Sequence, residues 1–390
     1  MEQTWRWFGE GDPIPLAHVR QAGATGVVTA LHARLPGERW PMAEIEARKA
    51  EIAASGLAWS VCESIPTPDE IKLGGAAARP AIDAWKDTLA NLGRAGVPVV
   101  CYNFMPVVDW TRTDLRFPAP LGGRALRFDI VDFIGYDVET LGRPHAEADY
   151  PPELVEAARR RIAEKTPEEI ERLQRNIIAG LPGGAVAQTP ASIAAKIRAC
   201  AGLDADTMRA NLIDFLKEVV PVAEEFGVRL AIHPDDPPRP LFGLPRVVST
   251  SDDARKIIGA VDSPANGLTL CVGSYGSRAD NDVAGMAKEF SARIHFAHLR
   301  NVTIESEGVF YEADHLDGGA DMIAIIDTLL KEERAAASAG RRANIPLRPD
   351  HGHLLGDDDP ERSNPGYSYI GRLKGLAELR GVMRVLETRA

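Results

Sequence analysis

The sequence predicts a (β/α)8 barrel, a TIM barrel, on three observations. Short apolar runs alternate with amphipathic stretches along most of the chain, the pattern of parallel strands joined by helical crossovers. Seven such runs are clear in 390 residues, one short of a closed eight-stranded barrel. No GxGxxG follows the first of them, which weighs against the competing architecture, an open doubly wound sheet.

The runs are residues 25–32 (TGVVTALH), 56–64 (GLAWSVCES), 96–106 (GVPVVCYNFMP), 227–236 (GVRLAIHPDD), 267–274 (GLTLCVGS), 293–301 (RIHFAHLRN) and 343–352 (ANIPLRPDHG). Their apolar residues are continuous instead of alternating, as strands buried on both faces require. Most are introduced by a glycine, which suits a helix C-cap feeding the next strand. Between them, MAEIEARKAEIAAS, RPAIDAWKDTLANLGRA, TMRANLIDFLKEVVPVAEEF and DMIAIIDTLLKEERAAA place apolar residues at three- and four-residue spacing and read as helices. The eighth strand is hidden. Residues 107–205 hold RALRFDIVDFIGYDV, a charged helical stretch (PPELVEAARRRIAEKTPEEIERLQRNIIAGL) and a Gly-rich turn, LPGGA. That is much more than a βα loop of about six residues. The segment reads as a long insertion after the third strand, a small hairpin plus helices that cap the barrel mouth or make a subunit contact. It sits within a single domain spanning residues 1–390.

Composition narrows the setting. Hydrophobic residues make up 45% and charged residues 26%, enough for a packed core. No apolar run approaches the roughly 20 residues needed to cross a bilayer. The start, MEQTWRWFGEGDPIP, lacks the basic and apolar regions of a signal peptide. Cys62, Cys101, Cys200 and Cys271 are dispersed with no CxxC pair, which points to free thiols in a reducing compartment. A cytoplasmic protein is expected, with no membrane partner and a homo-oligomer, a dimer, as its assembly. The formal charge of −11 and the absence of a dense Lys/Arg block exclude a nucleic-acid track.

Barrel enzymes build their sites from the C-terminal ends of strands. Here four strands in succession end in a metal-competent side chain: His233, Cys271, His298 and Asp350. Each alone has an inert reading, a core thiol, a hydrogen-bonded histidine or a turn aspartate. Their recurrence at matching positions points to a metal site. Two imidazoles, one thiolate and one carboxylate suit Zn²⁺, Fe²⁺, Mn²⁺ or Co²⁺. A closed four-ligand tetrahedron would be structural zinc, whereas open positions for substrate favour Mn²⁺ or Fe²⁺. His295 lies three residues before His298, on the opposite face of the strand and outside the barrel.

Motifs spread over nearly the whole chain resemble the mannonate dehydratase family. They are TWRWFG at 4–9, DPIPLAHVRQAGATGVVTALH at 12–32, SIPTPDEIK at 64–72, CYNFMPVVDWTRT at 101–113, AIHPDDPP at 231–238, FAHLRN at 296–301, RPDHGH at 348–353 and PGYSYIGR at 365–372. The resemblance implies a xylose-isomerase-like barrel, a Mn²⁺ or Fe²⁺ cofactor and dehydration of D-mannonate to 2-dehydro-3-deoxy-D-gluconate in glucuronate catabolism. It implies metal ligands at His233, Cys271, His298 and Asp350, and acid/base residues at His351 and Tyr367, with Tyr369 close by. Other polar residues at strand ends are candidates for substrate hydroxyls: His32, Glu63, Asn103, Asp236, Arg300 and Asn301. Arg300 and Arg348 are the favoured carboxylate partners, since guanidinium offers a bidentate fork. His315 is expected to close over the substrate, while His353 and Asp357 to Asp359 read as a solvated loop. The competing functions are a metal-dependent sugar isomerase or epimerase on the same fold, a metal-dependent hydrolase, and a non-catalytic sugar-acid binding protein.

Overall fold

Gly96 shows how the alternation is built. The helix Ala78–Arg94 ends, Gly96 takes φ +78°, and the Val97 N–H donates back to Leu92 O at 2.9 Å. Only a residue without Cβ adopts that left-handed turn cheaply, and it aims the chain straight into the next strand. The computed structural model describes residues 1–180, 188–341 and 344–388. The LPGGA turn and the first residue of the 343–352 run lie outside the described residues.

The strands among the described residues are β1 (Glu2–Arg6), β2 (Gly26–Thr29), β3 (Ala58–Glu63), β4 (Val99–Tyr102), β5 (Asp114–Pro118), β6 (Arg124–Asp129), β7 (Arg229–Ile232), β8 (Asn266–Cys271), β9 (Ile294–His298), β10 (Asn301–Ser306), β11 (Val309–Ala313) and β12 (Pro346–Arg348). Eight of them, β1, β2, β3, β4, β7, β8, β9 and β12, pair in parallel in that order and close on themselves. Val28, Val61, Val99, Cys101, Ala231 and Phe296 fill the barrel interior. Alternate residues, among them Val27, Cys62, Val100, Leu230 and Leu270, pack outward under the helices. The four helices expected from their spacing are present: Met42–Ala54, Ala78–Arg94, Ala205–Glu225 and Met322–Ser338.

The unread eighth strand is β1. Its sequence, EQTWR, is polar and aromatic instead of apolar, because Trp5 packs outward while Thr4 and Arg6 turn toward the barrel axis. Counting it moves every later strand up by one. The insertion therefore follows the fourth barrel strand, not the third.

That segment does contain a hairpin and helices. Strands β5 and β6 pair antiparallel, and β6 pairs with β11 of a second hairpin that leaves the end of β9, giving a sheet ordered β10-β11-β6-β5. Helices Pro152–Ala163, Pro167–Ile178 and Pro190–Ala199 follow. The middle one begins with a capping box in which Thr166 and Glu169 bond each other's backbone N–H, with Pro167 at its first turn. A second apolar core, including Phe128, Phe133, Ile177, Phe242 and Phe310, joins these helices to the sheet. No described helix is long and apolar enough to cross a membrane.

Candidate active site

Because the barrel strands are parallel, their C-terminal residues share one mouth, and a cavity opens there with about 450 Å³ of free space including its entrance. Arg6, Glu63, Asn103, His233, Asp236, Arg300, Arg348, Asp350, His351 and Tyr367 line it, along with Asp109 and Trp110 from the inserted segment.

Three of the four predicted metal donors converge. The ligand atoms of His233, Cys271 and His298 all lie within 4.8 Å of one another, with His233 Nε2 3.1 Å from His298 Nδ1. Phe296, one turn of the pleat below, meets the His298 ring edge-on at 4.5 Å and holds it upright. Asp350 stands beside the group, its Oδ2 3.8 Å from Cys271 Sγ and 3.9 Å from His298 Nδ1. It is not a member of the tight trio, because its carboxylate accepts from Arg300 Nε at 2.7 Å and from Arg348 Nη1. The residue adopts φ +68°, a left-handed conformation that aspartate tolerates better than most, and that turns its carboxylate into the cluster. A second set of donors, Glu63, Cys101 and His298, also comes within range.

The electrostatics fit a cation here. Burial would lower the pKa of His233, yet the Cys271 sulfur, Glu63 and Asp350 together push it up to about 9. Surroundings that hold a proton on this imidazole also suit a divalent ion, which needs the imidazole neutral and the charge for itself. His298 behaves oppositely: burial and the Arg348 guanidinium hold it well below the usual range, neutral and ready to coordinate.

His351 and Tyr367 form the other half of the site. The two rings meet edge to face at 4.9 Å, and Phe8 packs on the far side of Tyr367 at 4.9 Å. Gly366 makes this approach possible: it sits at φ +79°, and a Cβ there would lie 2.9 Å from His351 Cγ. Arg372, from the same motif, donates to the backbone carbonyls of Tyr367 at 3.0 Å and Arg6 at 2.8 Å, tying the last loop to the first strand. His351 Nδ1 is 2.8 and 2.9 Å from the two carboxylate oxygens of Glu312. Burial pushes the Tyr367 phenol up to about 12 against the opposing pull of Arg348, so it keeps its proton at neutral pH. Tyr369 is elsewhere, packed on Trp5 and His18.

Several predicted residues are placed differently. Asn301 does not line the cavity: its amide donates to His315 O and Ala320 O and accepts from the Val302 and Ala320 N–H groups, bracing the loop after β11. His315 is not among the residues that line this cavity. Its Nε2 lies 2.8 Å from Pro349 O, and it borders a smaller cavity behind His351. His32 stacks near Phe8 at 5.6 Å, behind the lining. His353 and Asp358 are no solvated loop: His353 is buried with Nε2 2.7 Å from Glu312 O, and Asp358 accepts from the first N–H groups of the C-terminal helix. Contrary to expectation, His295 is not outside the barrel: the strand pairing is irregular beside it, and its buried ring lies where a Gly267 Cβ would project, on the face of β8 that carries Thr269 and Cys271, with Nδ1 2.7 Å from Leu230 O.

Sequence reasoning missed three charged residues. Glu312 collects His351, Arg300 Nη1 at 2.8 Å and Arg112 Nη2 at 3.0 Å. Arg112, fully buried, also grips Asp236 with both terminal nitrogens, at 2.7 and 3.1 Å. Arg6 ends β1 and touches Glu63. Arg112 and Arg6 stood inside quoted motifs, but their partners lie far off in the chain.

The fold, then, is that of a xylose-isomerase-like barrel enzyme with a donor cluster at its mouth. Solved structures agree at the level of fold: a xylose isomerase-like TIM barrel protein from Mycobacterium smegmatis in complex with magnesium aligns over 99% of this chain and 96% of that one, with a TM-score of 0.52 at 15% identity. The chain belongs to the family described as D-mannonate dehydratase (UxuA), whose model matches residues 1–390, and it is accordingly a hydro-lyase of a metal-dependent family. Mannonate dehydratase 2 of Agrobacterium fabrum is 65% identical over 387 residues, covering 99% of this chain and 98% of that protein. Mannonate dehydratase of Saccharophagus degradans is 52% identical over 389 residues, with 99% and 98% covered. The crystal structure of mannonate dehydratase from Streptococcus suis serotype 2 aligns over 100% of this chain and 94% of that one, with a TM-score of 0.78 at 32% identity.

Proposed function

We propose that this cavity binds D-mannonate and eliminates water across C2 and C3, giving 2-dehydro-3-deoxy-D-gluconate, a step of hexuronate breakdown. The observation that carries the reading is the juxtaposition of the His233, Cys271, His298 donor trio with the His351–Tyr367 pair over one cavity. His233, Cys271 and His298 would hold a divalent cation, with Asp350 as the fourth ligand, and the mixed N/S/O set favours Mn²⁺ or Fe²⁺. When bound, the cation supplies Lewis-acid stabilisation of the negative charge that develops beside C1 as the C2 proton leaves.

The protein's own groups handle the protons. His351 donates Nδ1–H to Glu312, which fixes the tautomer and leaves Nε2 as the basic nitrogen. We assign it the C2 proton, acidic because it lies alpha to the carboxylate. Tyr367, protonated at neutral pH, delivers its proton to the C3 hydroxyl, which departs as water. The resulting enol relaxes to the 2-keto product. Buried walls and the network of Arg300, Arg348, Asp236 and Glu312 keep these groups in place without rearrangement during the reaction.

The test is direct. Metal-loaded protein and D-mannonate should yield a 2-keto-3-deoxy acid, while other hexonates should react slowly or not at all. Isomerisation without loss of water would instead favour an isomerase.

A further inference from the structure

Three arginines line the cavity, and two of them are already committed. Arg300 uses Nε on Asp350 at 2.7 Å, Nη1 on Glu312 at 2.8 Å and Nη2 on Asp236 and on Ser274 at 2.9 Å. Arg348 uses Nε on His298 at 3.0 Å, Nη1 on Asp350 and Nη2 on Glu63 at 2.9 Å. Neither keeps an open fork for a substrate.

Arg6 does. Its exposure is only 7%, and Nη1 alone is engaged, donating to Glu63 O and lying 3.2 Å from Glu63 Oε2. Nε is buried with no hydrogen-bond partner, and no residue among the described ones bonds Nη2. A buried guanidinium with unmet donors is costly, so its pocket is built for something that completes it. Nε–H and Nη2–H point the same way from one edge of the planar group, the geometry that matches both oxygens of a carboxylate. The guanidinium lies over the Phe8 ring at 5.1 Å, and Phe8 packs against Tyr367.

We propose that Arg6 binds the substrate carboxylate through its Nε–Nη2 edge, and so sets the position of C2 and C3 in front of Tyr367 and His351. The proposal rests on the dehydratase reading and deepens it: a C1 carboxylate held at Arg6 places the reacting carbons one and two bonds further along, on the ledge where the proton-transfer pair stands. A carboxylate has four acceptor sites, so the same group remains able to meet a cation. Specificity for aldonic acids over uncharged sugars then originates in the first barrel strand.

Metal-loaded wild type, Arg6→Lys and Arg6→Met are compared by KM and kcat for D-mannonate and by calorimetric Kd for D-gluconate, with metal content and Tm recorded. Losing one charge-assisted fork should raise KM and Kd by about 10- to 100-fold for Arg6→Met, more than kcat falls, with metal content retained. Arg6→Lys keeps the charge without the planar fork and should fall between; it decides the matter if Arg6→Met does not fold. Wild-type KM and Kd in either folded variant overturn the assignment. If wild type binds D-gluconate through Arg6 yet does not dehydrate D-mannonate, the functional reading fails and the carboxylate site stands.

Discussion

Cys271 is the donor most easily removed without adding or displacing a charge-bearing neighbour. Cys271→Ala leaves a small buried space and takes one ligand from the trio. Dialysed protein should then retain far less Mn²⁺ than wild type, and turnover should fall by about 10²-fold or more. Metal analysis and steady-state kinetics read both, and unchanged values remove Cys271 from the site. Proton transfer is separable from folding by Tyr367→Phe, which deletes one hydroxyl and barely alters volume. General acid–base groups supply about 10²–10⁴-fold, so kcat should drop by that order while Tm and metal content hold. His351→Asn should do the same. In deuterated solvent the two differ: a variant lacking only the acid still exchanges the C2 hydrogen, whereas one lacking the base does not. Exchange by Tyr367→Phe and none by His351→Asn is the expected pair, and the reverse exchanges the roles. Glu312 adds a pH dependence. Burial would raise its carboxyl, but His351, Arg300 and Arg112 pull it down to about 2 from 4.5. A depressed acid stabilises the fold above its ordinary pKa and loses that contribution as pH falls, here between about 4.5 and 2, on the order of 3 kcal/mol. Urea unfolding from pH 7 to pH 3 should therefore show wild type and Glu312→Gln converging as the medium becomes acid; parallel curves contradict it.

Among the elements, the inserted segment between β4 and the helix Ala205–Glu225 has the clearest consequence. We read it as part of the barrel mouth: Asp109 and Trp110 line the cavity, and Arg112 joins β5 to Asp236 on one barrel loop and Glu312 on β11. Arg112→Met would leave two buried carboxylates short of a partner. The cost should be about 3–5 kcal/mol in denaturant unfolding, with turnover reduced as Glu312 loses its hold on His351. Stability and kinetics equal to wild type would make the segment a bystander at the mouth. The elements also show what was legible beforehand. Strands such as β7 and β8 announce themselves because both faces are buried and most of their residues are apolar. β1 does not, since its inward positions carry Thr4 and Arg6 and its outward ones a tryptophan. Strand ends pointed to His233, Cys271 and His298 because each position follows an apolar run. The carboxylates and guanidiniums that orient them are legible only in three dimensions: Arg112 and Glu312 are 200 residues apart, and Glu63 and Arg348 are 285. Asn301 and His315 stand away from the cavity for a related reason, since a polar side chain near a strand end can serve the backbone of neighbouring loops instead.

For the molecule as a whole, a net charge of −11 stands against an anionic substrate. The resolution is local: Arg6, Arg300 and Arg348 gather at one mouth, and a divalent ion would add two further positive charges there. Metal removal should therefore affect binding as well as chemistry, and chelated protein should bind D-gluconate more weakly than the Mn²⁺ form in calorimetry. Mn²⁺ or Fe²⁺ should restore turnover better than Ca²⁺, which prefers oxygen ligands throughout. The most direct measurement follows D-mannonate by NMR with chelated protein, before and after one equivalent of Mn²⁺. No reaction is expected before addition, and afterwards conversion to 2-dehydro-3-deoxy-D-gluconate with one molecule of water lost per turnover. Equal conversion by the fully chelated protein, or an isomerised hexonate as the product, would contradict that expectation.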